Sequence, residues 1–223
     1  MNKPLKFKTQ DQKVWFVSDL HAKHAKDFIL NPRKYASAEI AYESMIKSWN
    51  DVVGVNDIVF NLGDIVVGAG ADSVAVFKEL VYRLNGKQYF TWGNHNAGAK
   101  TVYKDCIDAQ YGRHDYDFEV YPVSFAGKFT FLGHYAEIIV DGQLIVIGHY
   151  PIGSWNEMGS KGHESWNIFG HCHHNYPLGH VENTDLRQLD VGWETFGRPV
   201  EFNEVRAIMA NKGKKLVDHH GRD

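Results

Sequence analysis

Cysteine is scarce: the 223 residues contain two, Cys106 and Cys172, far apart and in no pairing pattern. A disulfide framework is excluded as the source of stability, and a reducing compartment that keeps both as thiols is the expectation. Long uncharged apolar runs are also missing, so no membrane is expected as a partner. The basic start Met1-Asn2-Lys3-Pro4-Leu5-Lys6-Phe7-Lys8 lacks the apolar stretch and small-residue cleavage site of a secretory leader, and the cytoplasm is the expected location. There is no surplus of positive charge. The 24 Lys and Arg against 27 Asp and Glu leave a formal charge of -3, which disfavours long duplex nucleic acid as a partner. Repeats, low-complexity blocks and linkers are absent as well. One domain over 1–223 is the economical reading, with its core at about 14–210 and a polar, fraying tail over 211–223.

What is present is histidine, 13 of them, many beside Gly, Asp or Asn. Imidazole is the commonest metal ligand, so where the histidines fall matters more than their number. A hydrophobic content of 43% over a chain of this length is enough for a sizeable core around which to place them.

The run Val14-Trp15-Phe16-Val17-Ser18-Asp19-Leu20-His21 reads as a buried strand that ends in a carboxylate and an imidazole. In an extended segment residues i and i+2 share a side, so Asp19 and His21 should converge past the strand end. Alone, the pair is more simply read as a loop acid and a surface histidine. Ala22 to Ala38 reads as a loop with a turn at Asn31-Pro32, and Ser37 caps a helix over 38–50 with Ile40, Ile46 and Trp49 on its apolar side. The chain returns to the sheet over 53–60, and this second strand, Asp57-Ile58-Val59-Phe60-Asn61-Leu62, ends in Gly63-Asp64. A helix over 72–84 carries Val76, Phe77, Leu80, Val81 and Leu84 and stops at Asn85-Gly86. A third strand, 87–92, ends in Gly93-Asn94-His95-Asn96 and is followed by a helix over 99–111 closed by Gly112.

The second half is richer in strands. Ile138-Ile139-Val140 and Leu144-Ile145-Val146-Ile147 flank the turn signal Asp141-Gly142-Gln143, and this hairpin ends in Gly148-His149. Tyr150 to Ser165, rich in Gly and Trp, is too long for a simple connection and is a candidate binding loop. Asn167-Ile168-Phe169 ends in Gly170-His171-Cys172-His173. Residues 187–191 read as a strand, and Pro199-Val200-Glu201-Phe202 opens a last helix to about Met209.

Five strand-like runs thus end in metal-binding residue types, and four of them place a Gly just before the ligand, where a tight turn and close backbone approach are needed. The ordered set Asp-Leu-His, Gly-Asp, Gly-Asn-His, Gly-His and Gly-His-Cys-His, from Val14 to His173, resembles the metallophosphoesterases, the calcineurin-like phosphoesterase superfamily. Through His24, His149-Tyr150-Pro151 and the ending from Val191-Gly192 to Pro199, it is similar to the small bacterial and phage members. Periodicity alone gives an α/β chain with a β-rich second half. The resemblance implies a four-layer α/β/β/α sandwich, two mixed sheets packed face to face with helices outside.

The resemblance also implies a binuclear metal site. Asp19, His21, Asp64 and His173 would hold one ion and Asp64, Asn94, His149 and His171 the other, with Asp64 bridging. Oxygen and imidazole donors suit Mn, the expected metal, with Fe, Zn, Ni or Co as alternatives. Two such cations about 3.5–4 Å apart activate a hydroxide nucleophile and clamp a phosphoryl group. His95 matches the family histidine that protonates the leaving oxygen. The implied function is hydrolysis of a small phosphoric ester. The alternatives are a phosphodiesterase or nuclease acting on nucleotides or nucleic acid, and a non-catalytic metal-binding scaffold.

Two departures from the family pattern stand out. Asn96 replaces the usual acid after the histidine, which weakens the case for a protonated His95. Gly63-Asp64 continues as Ile65-Val66-Val67-Gly68, without the Asp-Arg-Gly of the protein serine/threonine phosphatases, which puts protein phosphatase low among the activities. Among the remaining residues, Cys172 should point away from the ligands beside it. His24 is read equally as a substrate contact and a surface histidine. Arg33 and Arg113 are the nearest arginines to a phosphate, but a solvated surface role is the reading for each. Tyr150, Trp155 and Trp166 are read as an aromatic wall or as core. His114, His134, His163, His174, His180, His219 and His220 match no ligand position, and Lys3, Lys6 and Lys8 read as a solvated terminus.

Overall fold

The computed structural model describes residues 3–68, 70–111, 123–159 and 164–213. Its centre is a six-stranded sheet in the order β11-β2-β3-β4-β6-β5. Here β2 is Val14–Val17, β3 Ile58–Asn61, β4 Lys87–Thr91, β5 Ser124–Phe125, β6 Phe129–Gly133 and β11 Val200–Glu201. The four middle strands run parallel, because helices make the crossovers: α2 (Ala38–Asn50), α3 (Ala71–Arg83) and α4 (Ala97–Tyr111). Ser37 caps α2, its hydroxyl accepting the Ile40 N–H at 3.2 Å. The buried stripe of α2 is Tyr42, Met45, Ile46 and Trp49, at helical spacing. Ile40 falls outside that stripe and is 55% exposed, contrary to the sequence expectation.

A second, five-stranded sheet has the order β1-β7-β8-β9-β10, with β1 Leu5–Phe7, β7 Tyr135–Val140, β8 Gln143–Gly148, β9 Trp166–Phe169 and β10 Gln188–Asp190. The strand alternation of β2 assigns its residues to two cores. Trp15 and Val17 pack with α2, α3 and α4, whereas Val14 and Phe16 pack with Phe60, Ile145, Ile147, Ile168 and Leu189 between the sheets. The outer face of the five-stranded sheet, at Val146, is covered by Trp155, Met158 and Leu186. Two mixed sheets flanked by helices are therefore the fold that the resemblance implied. No helix among the described residues is long and apolar enough to cross a membrane.

Several local expectations are corrected. The presumed loop from Ala22 to Ala38 contains α1, Asp27–Arg33, a short helix of seven residues with Pro32 in its last turn. Lys3, Lys6 and Lys8 are exposed as read, but the segment that carries them is paired as β1 and anchored by Phe7, which packs edge-on against Phe60 at 5.2 Å and Tyr89 at 5.4 Å. Strand β6 went unread although Phe129-Thr130-Phe131 alternates and follows a left-handed turn at Ala126-Gly127. Val200 and Glu201 pair antiparallel with β2 before α6, Phe202–Ala210, begins. The start of the tail is tied down. Lys212 is 3% exposed and donates to the carbonyls of His180 at 2.6 Å and Asn183 at 2.7 Å. Residues 214–223 lie outside the described set, as do Arg113, His114, His163, His219 and His220.

Candidate metal centre

Strands β2, β3 and β4 are neighbours in one sheet, and β8 and β9 in the other, so their ends meet where the two sheets face each other. The Asp19 N–H donates to Gly63 O at 3.1 Å, the His21 N–H to Asp64 O at 2.9 Å and the Gly170 N–H to His149 O at 3.0 Å. Two further bonds cross between the sheets. The His171 N–H donates to Asp19 Oδ2 at 2.8 Å, and His149 Nδ1 lies 2.8 Å from Leu62 O.

Asp19 and His21 do converge, but not by strand alternation. Their φ angles are +58° and +45°, and Asp64, His171 and His173 are also left-handed at +55°, +69° and +45°. Left-handed backbone costs a non-glycine residue about 1–3 kcal/mol, and such residues gather where function over-determines them. The glycines ahead of the ligands admit this crowding. A Cβ on Gly93 would fall on Asp64 Oδ1, and one on Gly170 would fall on Ser18 Oγ and Asp19 Oδ2.

The result is a tight array of oxygens and imidazole nitrogens. His21 Nε2 lies 3.8 Å from Asp19 Oδ1 and 3.7 Å from Asp64 Oδ2, and His149 Nε2 lies 3.5 Å from Asp64 Oδ2. Asn94 Oδ1 is 3.1 Å from both His149 Nε2 and His171 Nδ1. One donor atom each from Asp19, His21 and His173, and likewise from Asp19, Asp64 and His149, fall within 4.8 Å of one another. Cys172 belongs to neither group, and burial raises its thiol to about 11.

The array fits a divalent cation. Asp19 Oδ1 and both ring nitrogens of His21 are buried without a hydrogen-bond partner, a costly state that a cation between them would relieve. Burial raises the Asp19 carboxyl to about 7 and lowers the His21 imidazole to about 3. The pocket thus resists holding negative charge on Asp19 unless positive charge joins it. Burial also works against ionised Asp64, but His149, the His95 N–H and His21 outweigh it and bring that carboxyl to about 2. With its Nδ1 on the Leu62 carbonyl, His149 leaves Nε2 toward Asp64 and Asn94.

A sequence model described as calcineurin-like phosphoesterase matches residues 12–217. The chain belongs to the calcineurin-like phosphoesterase family. This family member is 35% identical over 208 residues to an uncharacterized protein of Methanocaldococcus jannaschii, covering 91% of this chain and 94% of that one. It is 26% identical over 204 residues to the Gene 66 protein of Mycobacterium phage L5, covering 88% and 93% of the two chains. A solved protein of unknown function from Aquifex aeolicus superposes with a TM-score of 0.56 at 16% identity, over 88% of this chain and 99% of that one. That likeness speaks to the fold alone.

In this calcineurin-like phosphoesterase, the residues named from the sequence divide by burial. Asp19, His21, Asp64 and His149 are buried, His171 and His173 are half-buried, and Asn94 and His95 stand exposed, the His95 ring 5.6 Å from that of His21. Asn96 is buried, and its Oδ1 accepts the Asp64 N–H at 3.1 Å, so it serves the ligand turn. Trp155 and Trp166 are core, whereas Tyr150 is 45% exposed, with its ring 4.6 Å from that of His171.

Arg33 is not a surface arginine. Its side chain is 6% exposed and meets Glu194, a residue the sequence reading missed. Glu194 Oε2 lies 3.1 Å from His173 Nδ1. Burial alone would raise its carboxyl, but His173 and Arg33 hold it down at about 2. Gly192-Trp193-Glu194, just past the end of a strand, was the available signal.

Proposed function

We propose that this calcineurin-like phosphoesterase holds two divalent cations and hydrolyses phosphoric esters of a small substrate. The observation that carries the proposal is the buried meeting of Asp19, Asp64, His21 and His149, in which Asp19 Oδ1 and both His21 ring nitrogens have no hydrogen-bond partner, ringed by Asn94, His171 and His173. Asp19, His21, Asp64 and His173 would hold one ion, and Asp64, Asn94, His149 and His171 the other. Bound divalent ions would supply an activated water nucleophile and charge neutralisation for the phosphoryl oxygens.

The chain's own groups then set orientation and proton traffic. His21, kept neutral by burial, offers a lone pair at neutral pH. The Asp64 carboxylate is fixed by the His95 N–H at 2.8 Å, and the Asp64 amide by Asn96, so its two oxygens cannot swing away. His95 carries its ring at the open face, where it can give a proton to the leaving oxygen. Arg33, being buried and paired, does not reach the substrate.

Metal analysis of the purified protein, then turnover of p-nitrophenyl phosphate and bis-p-nitrophenyl phosphate with added Mn, tests the proposal. Two metal equivalents and faster turnover of the monoester are expected. Faster turnover of the diester would move the reading to a phosphodiesterase, and no metal with no turnover would leave a scaffold.

A further inference from the structure

We infer that Arg33 and Glu194 form a buried brace that positions His173 and the Asp19-Leu20-His21 turn for metal binding, an inference that rests on the metal-dependent reading above. Strand β2 ends at Val17, and the left-handed residues that follow take the carbonyls of Asp19 and Leu20 out of the sheet ladder. Arg33 supplies their donors. Its Nη2 donates to Asp19 O at 2.6 Å, its Nη1 to Leu20 O at 2.7 Å and its Nε to Glu194 Oε1 at 2.7 Å. Three acceptors on three faces of a planar fork fix the guanidinium, and a lysine could not reproduce that geometry.

The other half of the brace is Glu194, on the short helix α5 (Trp193–Phe196). That segment is pinned to β2 through the Trp193 N–H, which donates to Ser18 O at 3.0 Å. From there Oε2 lies 3.1 Å from His173 Nδ1, an ion-pair contact without hydrogen-bond alignment that occupies this nitrogen and leaves the opposite one, Nε2, for the ligand role. The His173 ring also stacks on His21 at 4.9 Å. Two turns from different sheets, one carrying Asp19 and His21 and the other His173, are therefore tied to one ion pair. A buried ion pair is weak evidence of stabilisation in itself, since apolar groups of equal volume often serve as well. Its placement behind the ligands gives it a different task.

The test uses the full-length chain and Mn titration by calorimetry, with thermal unfolding of the metal-free protein as the second readout. Removing one partner of a buried pair is destabilising, so Glu194→Gln is expected to unfold about 5–20 °C below the wild type and Arg33→Lys, which keeps the charge, by a smaller margin. Each should weaken one Mn equivalent by about 10–100-fold and leave the other near the wild-type affinity. Wild-type affinity for both equivalents in Glu194→Gln overturns the inference while leaving the metal reading intact. If that variant does not fold, unchanged affinities in Arg33→Lys overturn the inference in the same way. A wild-type protein that binds no Mn overturns the metal reading and this one together.

Discussion

Asp19, His21, Asp64 and His149 are each at most 4% exposed, whereas Asn94, His95 and Tyr150 stand at the surface a few ångströms away. The buried wall is made of short turns with left-handed backbone, glycines that leave no room for a Cβ, and a paired arginine behind them. The rim residues Asn94, His95 and Tyr150 have no left-handed backbone. Burial also sets the chemistry, since desolvation lifts Asp19 and lowers His21. On the reading proposed above, metal retention falls to the wall together with Asn94 at its edge, and substrate handling to His95 and Tyr150 on the rim, a division that mutation can break.

The largest effect should come from the wall. Asp64→Ala should abolish turnover and one metal equivalent. Gly93→Ala should come close to it without touching a ligand, because the new methyl would occupy the place of Asp64 Oδ1. Metal analysis and p-nitrophenyl phosphate turnover check both. Gly93→Ala protein with two ions and full activity would show that the wall yields. At the rim, His95→Ala should keep both ions and lose about 10²–10⁴-fold in turnover. Metal loss in that variant would move His95 into the wall.

A smaller effect separates the two regions by pH. Metal binding needs ionised Asp19 and neutral imidazoles, and in the metal-free protein Asp19 is protonated below about 7. Although burial opposes their protonation, Asp64 raises the pKa of His149 and Glu194 that of His173, so these also hold protons longer than an ordinary histidine. His21, titrating at about 3, releases none near neutrality. Binding therefore releases protons, and Mn affinity should fall about tenfold or more per pH unit below 7. Calorimetry in two buffers of different ionisation enthalpy counts the protons. Binding that releases none at pH 6 would contradict the buried state of Asp19.

The gathering of the named Asp, Asn and His residues was legible in the sequence because strand ends followed by Gly mark places where a backbone turns tightly toward its neighbour. The helices α2, α3 and α4 were legible for the same local reasons, caps and helical spacing, whereas α1 reads as loop and the pairing of the sheets follows only from the family resemblance. The local geometry at Asp19 and His21 was not, since extended and left-handed turns look alike when the residue is not Gly. Glu194 and Arg33 were hidden for another reason. Their meaning depends on a contact 161 positions apart, and an isolated Arg after a Pro carries no sign that it will be buried. Strand β6 had the pattern Phe129-Thr130-Phe131 and was legible but unread.

The smallest effect expected at the rim is that of Tyr150. Of the three aromatic residues named from the sequence around the last two ligand turns, it alone stays 45% exposed, its ring against His149 at 5.0 Å and His171 at 4.6 Å. An aromatic group on the substrate can stack there, a contact of about 0.5–1.5 kcal/mol, which corresponds to a change of about 2- to 12-fold in affinity. Tyr150→Ala should therefore raise KM for p-nitrophenyl phosphate by that amount, leave kcat and both metal equivalents unchanged, and have no effect on an alkyl phosphate. Tyr150→Phe should behave as the wild type. A loss of kcat or of metal in Tyr150→Ala would mean that the ring supports His149 or His171, and the boundary between wall and rim would then lie one residue further out.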